Sequence, residues 1–286
     1  MSEVNLIRVF AKDSGGGNPV PLVADASQMS ADEMRKIAQR YGHESCFVMP
    51  VDDPGCDYHL RFFVPGHEME MCGHATVGTM WALRQWGQWQ EDTAWVQTLS
   101  GRVQVIWDEP TQRVWISQPP VTVEPLSDDQ AHLITSVLGL PVDSEILSVV
   151  NAATSRIKTL IRLADTNVLN TLRPDFASIK AVCEAIGSTG LYPFAESSAG
   201  NYSARQFPKS SGYPEDAATG IAAAALWGYL AKTGAVDSTV VSSISQGEAM
   251  GSPSLIEVKA RHDDDGVGAG CWLSGEVIWV DGAAFV

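Results

Sequence analysis

Residues 70–83 read EMCGHATVGTMWAL. A thiol, Cys72, and an imidazole, His74, flank one glycine, and a run apolar enough to be a buried helix follows. Both side chains can take up and return a proton. A helix N-terminus disfavours an imidazolium and lowers the pKa of a thiol, so such a position suits a neutral histidine or a usable sulfur base. Gly73 between them lets backbone N–H groups come close to a ligand. A third candidate is Glu44, in RYGHES (40–45), at the entrance to a strand. Moving a proton between carbons of a small molecule needs a group that both accepts and donates it, and a carboxylate kept from water can do both. Taken alone, each residue also has a plainer reading: a solvated glutamate, a structural histidine, a small buried cysteine.

Several elements must position these groups. QMSADEMRKIAQRYG (28–42) predicts a helix with a capping box at Ser30 and Glu33 and a stop at Gly42, so Glu44 follows a helix and opens the strand HESCFVMPV (43–51). YHLRFFVPGHEMEM (58–71) predicts a strand with a turn at Pro65-Gly66, and GHATVGTMWALRQWG (73–87) a helix ending at Gly87. VNLIRVFAKD (4–13) alternates as a strand does. SGGGNPVPLVAD holds three glycines in a row, but no GK[ST] follows, so a tight turn rather than a phosphate cradle is expected. Strands are expected within 94–119. PPVTVEP (119–125), with three prolines, is the expected linker.

The second half repeats the style of the first. Helices are predicted over 127–140, opened by a serine cap, and 173–190; strands are predicted at 155–165, in GLYPFAES and YSARQFPK, and in the segments that close the chain. PEDAATGIAAAALWGYLAKTG (214–234) predicts a helix apolar almost all round, hence enclosed in a core. It resembles 73–87: Ala-Thr near the start, small residues, then Trp and Leu. Asp216 at its start has a plain reading as a helix N-terminal acid. An internal duplication is one explanation of the likeness and chance is the other.

Composition narrows the class. The 286 residues are 45% hydrophobic and carry a net charge of -15, with a mean hydropathy of -0.02. That describes a globular chain without a basic stripe for nucleic acid. The most apolar helix, 220–231, falls short of the roughly 20 residues a bilayer requires. MSEVNLIRVF shows no signal-peptide pattern, so a cytoplasmic protein is expected. Five cysteines (Cys46, Cys56, Cys72, Cys183 and Cys271) at irregular spacing predict reduced thiols and no zinc site.

Five pieces in order, GNPVPLVAD (17–25), HESCFV (43–48), FFVPGHEMEMCGHATVGT (62–79), EDAATGIAAAAL (215–226) and SQGEAMGSPSLIEV (245–258), resemble the phenazine-biosynthesis PhzF-like family within the diaminopimelate epimerase fold. The resemblance implies an α+β fold of two similar lobes, each a mixed barrel-like sheet around a central helix, with the active site in the cleft between them. The expected lobes are 1–118 and 119–276, with a C-terminal strand at about 277–286 returning to the first. It implies a homodimer, a small carboxylic acid as substrate, and no metal, PLP or nucleotide.

The resemblance also assigns residues. Glu44 matches the catalytic glutamate, His74 the histidine of the Gly-His-Pro/Ala-Thr motif, and Asp216 the aspartate of the Asp-Pro-Ala-Thr-Gly motif. Gly73, Thr76, Thr219 and Gly220, in the first turns of two helices, would hold the substrate carboxylate on free N–H groups. Cys72 and Asn18 join them as binding residues. The chain departs from the pattern at His43, at Ala217 in place of proline, and at Ile221 in place of a serine. Racemases of this fold use two facing cysteines. Cys72 could be one, but the second helix start offers Glu215-Asp216-Ala217 and no thiol. The expected activity is a cofactor-independent isomerase that moves a proton between carbons of a small unsaturated or cyclic carboxylic acid. An amino or hydroxy acid racemase or epimerase, and a binding protein without chemistry, are the alternatives.

Overall fold

The structure is a computed structural model that describes residues 3–140, 144–262 and 268–280. The chain divides into two compact units, one of residues up to 117 and from 273 onward, the other of 118–272. Residues 281–286 of the expected C-terminal strand lie outside the described residues.

In the first unit the elements are β1 (Asn5–Val9), β2 (Asn18–Val23), α1 (Ala31–Tyr41), β3 (Ser45–Met49), β4 (Tyr58–Phe63), β5 (Glu68–Met69), α2 (Gly73–Gln85), β6 (Thr93–Thr98), β7 (Gly101–Asp108) and β8 (Arg113–Gln118). In the second they are β9 (Thr122–Pro125), α3 (Asp128–Leu138), β10 (Ile146–Ala153), β11 (Ile157–Leu163), α4 (Thr166–Thr171), α5 (Phe176–Ala185), β12 (Gly190–Ser198), β13 (Asn201–Ala204), β14 (Phe207–Pro208), α6 (Gly220–Lys232), β15 (Ser242–Gln246) and β16 (Ser254–His262). β17 (Gly268–Ser274) and β18 (Val277–Trp279) close the chain.

The two units follow one pairing scheme. In the first, β18 pairs antiparallel with β1, β1 antiparallel with β2, β2 parallel with β3, β3 antiparallel with β4, β4 parallel with β6, and β6 antiparallel with β7. In the second, β9, β10, β11, β12, β13, β15 and β16 repeat that order of antiparallel and parallel pairs. Helices enter at matching points. α1 and α5 each lead into the parallel pair, and α2 and α6 each follow a two-residue strand, β5 after β4 and β14 after β13. This is the mixed α+β architecture expected, with β18 in the first unit standing where β9 stands in the second.

α2 and α6 are the central helices. α2 packs on β1, β2 and β3, and α6 on β10, β11 and β16. Small residues allow the approach: a Cβ on Gly78 would stand 2.5 Å from Val9 Cγ2 and 2.6 Å from Ile7 Cδ1. A second core, under α3, α4 and α5, gathers Ile134, Leu163, Leu169, Ile179, Leu191 and Phe207.

The expected punctuation is present at α1, where Ser30 and Glu33 form a reciprocal capping box and Gly42 is left-handed at φ 72°. Three expectations need correction, and two elements were not foreseen. The proline-rich 119–125 is not a free linker, because Thr122–Pro125 forms β9, its Thr-Val-Glu run paired to β10 and its proline at the strand end, where no donor is required. The helix expected over 214–234 begins only at Gly220: Asp216 N–H donates to Gln206 O at 3.0 Å in an isolated antiparallel bridge, which holds the backbone before Gly220 out of the helix. The helix expected over 173–190 is confined to α5, since Asp175 caps it and Gly187, at φ 68°, follows its end. α4 and β10 were not anticipated. TNVLNT is too short to show a helical period, and β10 carries polar Ser148 and Asn151 within its run.

Candidate active site

Glu44 stands between the left-handed Gly42 and the first residue of β3, and it is 5% exposed. β2 and β3 are parallel, with Leu22 opposite Cys46. Extending that register sets Val20 beside Glu44, with buried Asn18 beyond it at the same end of the sheet. β4 returns antiparallel with Phe63 opposite Ser45, β5 pairs with the end of β4, and the chain then enters α2. The pairing thus collects Glu44, Asn18 and the start of α2 at one end of the first sheet.

His74 is the second residue of α2 and is 4% exposed. Burial holds its pKa below the ordinary value of 6.5, against the opposing pull of the Glu44 charge; His43 adds to the lowering. His43 is likewise lowered by burial and raised by Glu44. Two neutral imidazoles therefore accompany one buried carboxyl group at neutral pH. Cys72 Sγ lies 3.5 Å from His74 Nδ1. Cys72 is the N-cap of α2, in an extended conformation, and makes no side-chain cap. Thr76 is buried in the first turn, but its hydroxyl donates to Cys72 O at 2.8 Å, so that donor serves the helix.

In the second unit Asp216 heads a separate polar cluster. The Thr219 hydroxyl donates to Asp216 Oδ2 at 2.5 Å. Gln246 clamps the same turn: its amide N–H donates to Asp216 O at 2.8 Å, and its Oε1 accepts from Thr219 N–H at 3.2 Å and from Tyr192 O–H at 3.0 Å. Burial, reinforced by the Asp216 charge, drives the Tyr192 phenol far above its ordinary value, so it stays a donor. Thr219 is the N-cap of α6 and, like Cys72, makes no side-chain cap; Gly220 opens the helix. Ile221, buried, is the second residue of α6, the place His74 holds in α2.

Glu215, next to Asp216, is engaged elsewhere. Arg205 grips it with two hydrogen bonds of 2.8 Å and also donates to Leu169 O and Leu172 O, with both side chains under one-tenth exposed. Gln246 and Tyr192 escaped the sequence reading. Gln246 falls inside the SQG piece used for the resemblance, but nothing local marks it as a clamp, and Tyr192 reads only as a strand residue. A cavity of about 280 Å³ beside Trp227 and Lys232, toward the far end of α6, contains none of the candidate residues. Among the described residues no three His, Cys, Asp or Glu side chains group as metal ligands would, and no helix is long and apolar enough to cross a membrane.

Residues 7–280 match the family model described as phenazine biosynthesis-like protein. The chain belongs to this family. A relative named an uncharacterized isomerase, from Deinococcus radiodurans, is 30% identical over 265 residues, covering 89% of this chain and 85% of the relative. The solved PhzF-family phenazine biosynthesis protein of Bacillus anthracis aligns with a TM-score of 0.82 at 23% identity, over 97% of this chain and 96% of that one. A probable proline racemase from Agrobacterium radiobacter aligns with a TM-score of 0.65 at 11% identity, over 98% of this chain and 91% of that one. At these identities the two solved structures establish the fold. The match to the phenazine biosynthesis-like family spans Glu44, His74 and Asp216, the residues that the motif resemblance singles out.

Proposed function

We propose that this protein is an isomerase that moves a proton between two carbons of a small unsaturated or cyclic carboxylic acid, with Glu44 as its base. The observation that carries the reading is the pairing of buried Glu44 with a buried His74 that burial keeps neutral. The Glu44 carboxylate takes a proton from a carbon next to the conjugated system. The C–H bond breaks, an O–H bond forms on Glu44, and the electron pair spreads into the conjugated acid. Protonated Glu44 then returns the proton to a second carbon of that system, restoring the carboxylate. A neutral imidazole at His74 can donate to the developing negative charge without quenching the base by ion pairing. The first turn of each central helix, taken by itself, has no side-chain cap and leaves N–H groups suited to a carboxylate. Asp216, on the family motif, is assigned to orient a donor group of the substrate.

The relatives' isomerase names support the reaction class. A second reading has one observation of its own. Cys72 Sγ touches His74, and a thiol–imidazole pair at a helix start could return a proton to the same carbon, as an epimerase would. Proton exchange in deuterium oxide, followed by NMR over a panel of unsaturated and amino carboxylic acids, separates the readings. Deuterium entering a second carbon, and lost in Glu44→Gln, supports the isomerase. Exchange at a single carbon with loss of optical purity, abolished by Cys72→Ser and not by Glu44→Gln, supports the epimerase.

A further inference from the structure

Arg205 and Gln206 carry the chain from β13 into Phe207, the first residue of β14, as one extended run. Successive side chains of such a run alternate between faces. Arg205 turns toward the carbonyls of Leu169 and Leu172 at α4 and stacks over the Phe207 ring, and Phe207 enters the core under α5. Gln206 therefore points the other way. It is also bridged directly to Asp216, and residues opposite one another in an antiparallel pair project from the same face. Its side chain lies against Gly190, where an added Cβ would stand 2.1 Å from Gln206 Nε2. Gly190 and Tyr192 share a face of β12, and the Tyr192 phenol belongs to the Asp216 cluster.

One feature distinguishes Gln206 from the other polar groups of that cluster. Thr219, Gln246 and Tyr192 each spend their hydrogen bonds on one another or on the Asp216 turn. Gln206 is 1% exposed, and among the described residues neither its amide nitrogen nor its amide oxygen has a hydrogen-bond partner. A buried amide without partners destabilises a fold, because its desolvation is not offset. An apolar side chain of similar volume would fill the position without that loss. Glycine at 190 makes room for the amide as well as for the backbone of Phe207 and Pro208.

We propose that Gln206 is a specificity-determining residue that contacts the ligand at the Asp216 end of α6, where its amide binds a substituent able both to donate and to accept a hydrogen bond, a hydroxyl or an amino group. The uncapped start of α6 receives the carboxylate of the same ligand. The inference deepens the functional reading above and rests on its assignment of Asp216 to the substrate. It does not depend on which residue is the base.

The test uses the whole protein with its glutamine side chains labelled with nitrogen-15, and the Gln206 amide signal is identified by its loss in Gln206→Met. Three probes are added in turn: salicylate, anthranilate and benzoate. Salicylate and anthranilate should shift the Gln206 signal, and benzoate, which lacks the ortho donor, should bind about tenfold more weakly. Gln206→Met should abolish that preference while its Tm stays at or above that of the unaltered protein. Gly190→Ala, which pushes the amide aside, should abolish it as well. A Gln206 signal unmoved by salicylate and anthranilate, or equal binding of benzoate, overturns the proposal. So does a lowered Tm in Gln206→Met, because the amide would then be structural. Glu44→Gln should leave the probe shifts intact. Loss of proton exchange is thus read separately, and failure of the Glu44 assignment would not imitate failure of this one.

Discussion

At the residue scale the chemistry turns on Glu44 and the two histidines beside it. Glu44→Gln should lower proton exchange by about a hundredfold or more, measured by NMR in deuterium oxide, because the acceptor is gone while volume and fold remain. The histidines make a pH prediction. Burial lowers His74 and His43 below 6.5 in the folded protein. Above 6.5 both states hold neutral imidazoles and these residues leave stability unchanged. Below it the unfolded chain takes up protons that the folded protein refuses, so stability falls as pH drops from about 6.5 toward the carboxylate range near 5. His74→Asn should flatten that fall, as read from urea midpoints across the window. The thiols divide likewise. Burial pushes Cys46 and Cys271 up to about 12 and Cys183 up to about 11, so iodoacetamide at pH 8 should leave all three unmodified while the protein is folded. That expectation is checked by peptide mass spectrometry.

At the element scale the helices separate by how they begin. Four are capped by their own side chains: α1 by Ser30, α3 by Ser127, α4 by Asp165 and α5 by Asp175. The two central helices are not. Ser30→Ala should therefore reduce stability by about 1 kcal/mol and leave exchange unchanged. Thr219→Val should remove the hydroxyl held by Asp216 and reduce exchange with little loss of helix. Gly78→Ala tests the tight seat of α2. Its methyl group would meet Ile7 and Val9 well inside contact distance, and we expect a loss of about 1–3 kcal/mol in chemical denaturation. These starts were legible to different degrees. Ser30, Glu33 and Gly42 act within a few residues of one another, and the capping pattern could be read directly. The start of α6 could not, because the backbone before it is held by a bridge from Asp216 to Gln206, ten residues away.

At the scale of the molecule, the repeated order of pairings gives structural content to the short likeness between 73–87 and 214–234. It also shows why the last strand matters. Glu276 O accepts from Phe10 N–H at 2.6 Å and from Ala11 N–H at 3.2 Å, while Phe10 itself sits at a positive φ of 64°. That backbone is unfavourable for a bulky residue and persists because its surroundings hold it. β18 then covers the edge of β1, and Arg113 of β8 pairs with Glu276. Truncation after Gly275 should raise hydrogen exchange in β1 and β2 far more than in β10 and β11, as measured by mass spectrometry.

What the sequence determined by itself is whatever depends on near neighbours. Alternation set most strands, the capping boxes set α1 and α3, and the apolar runs of α2 and α6 marked helices with no solvent face. The motif residues also marked Glu44, His74 and Asp216 as candidates through their resemblance to a known family. Only the tertiary structure decided which polar groups are engaged and which are held in reserve. Glu215 and Asp216 are adjacent and chemically alike, yet Arg205 claims the first and leaves the second to Thr219 and Gln246. Tyr192, Gln206 and Gln246 carry no local mark, because their roles come from strand register and burial across more than fifty residues of chain. The physical reason is one of range. Caps and periodicity act over a turn or two, whereas burial, and the hydrogen bonds that must offset it, are settled by residues the fold brings together from far apart.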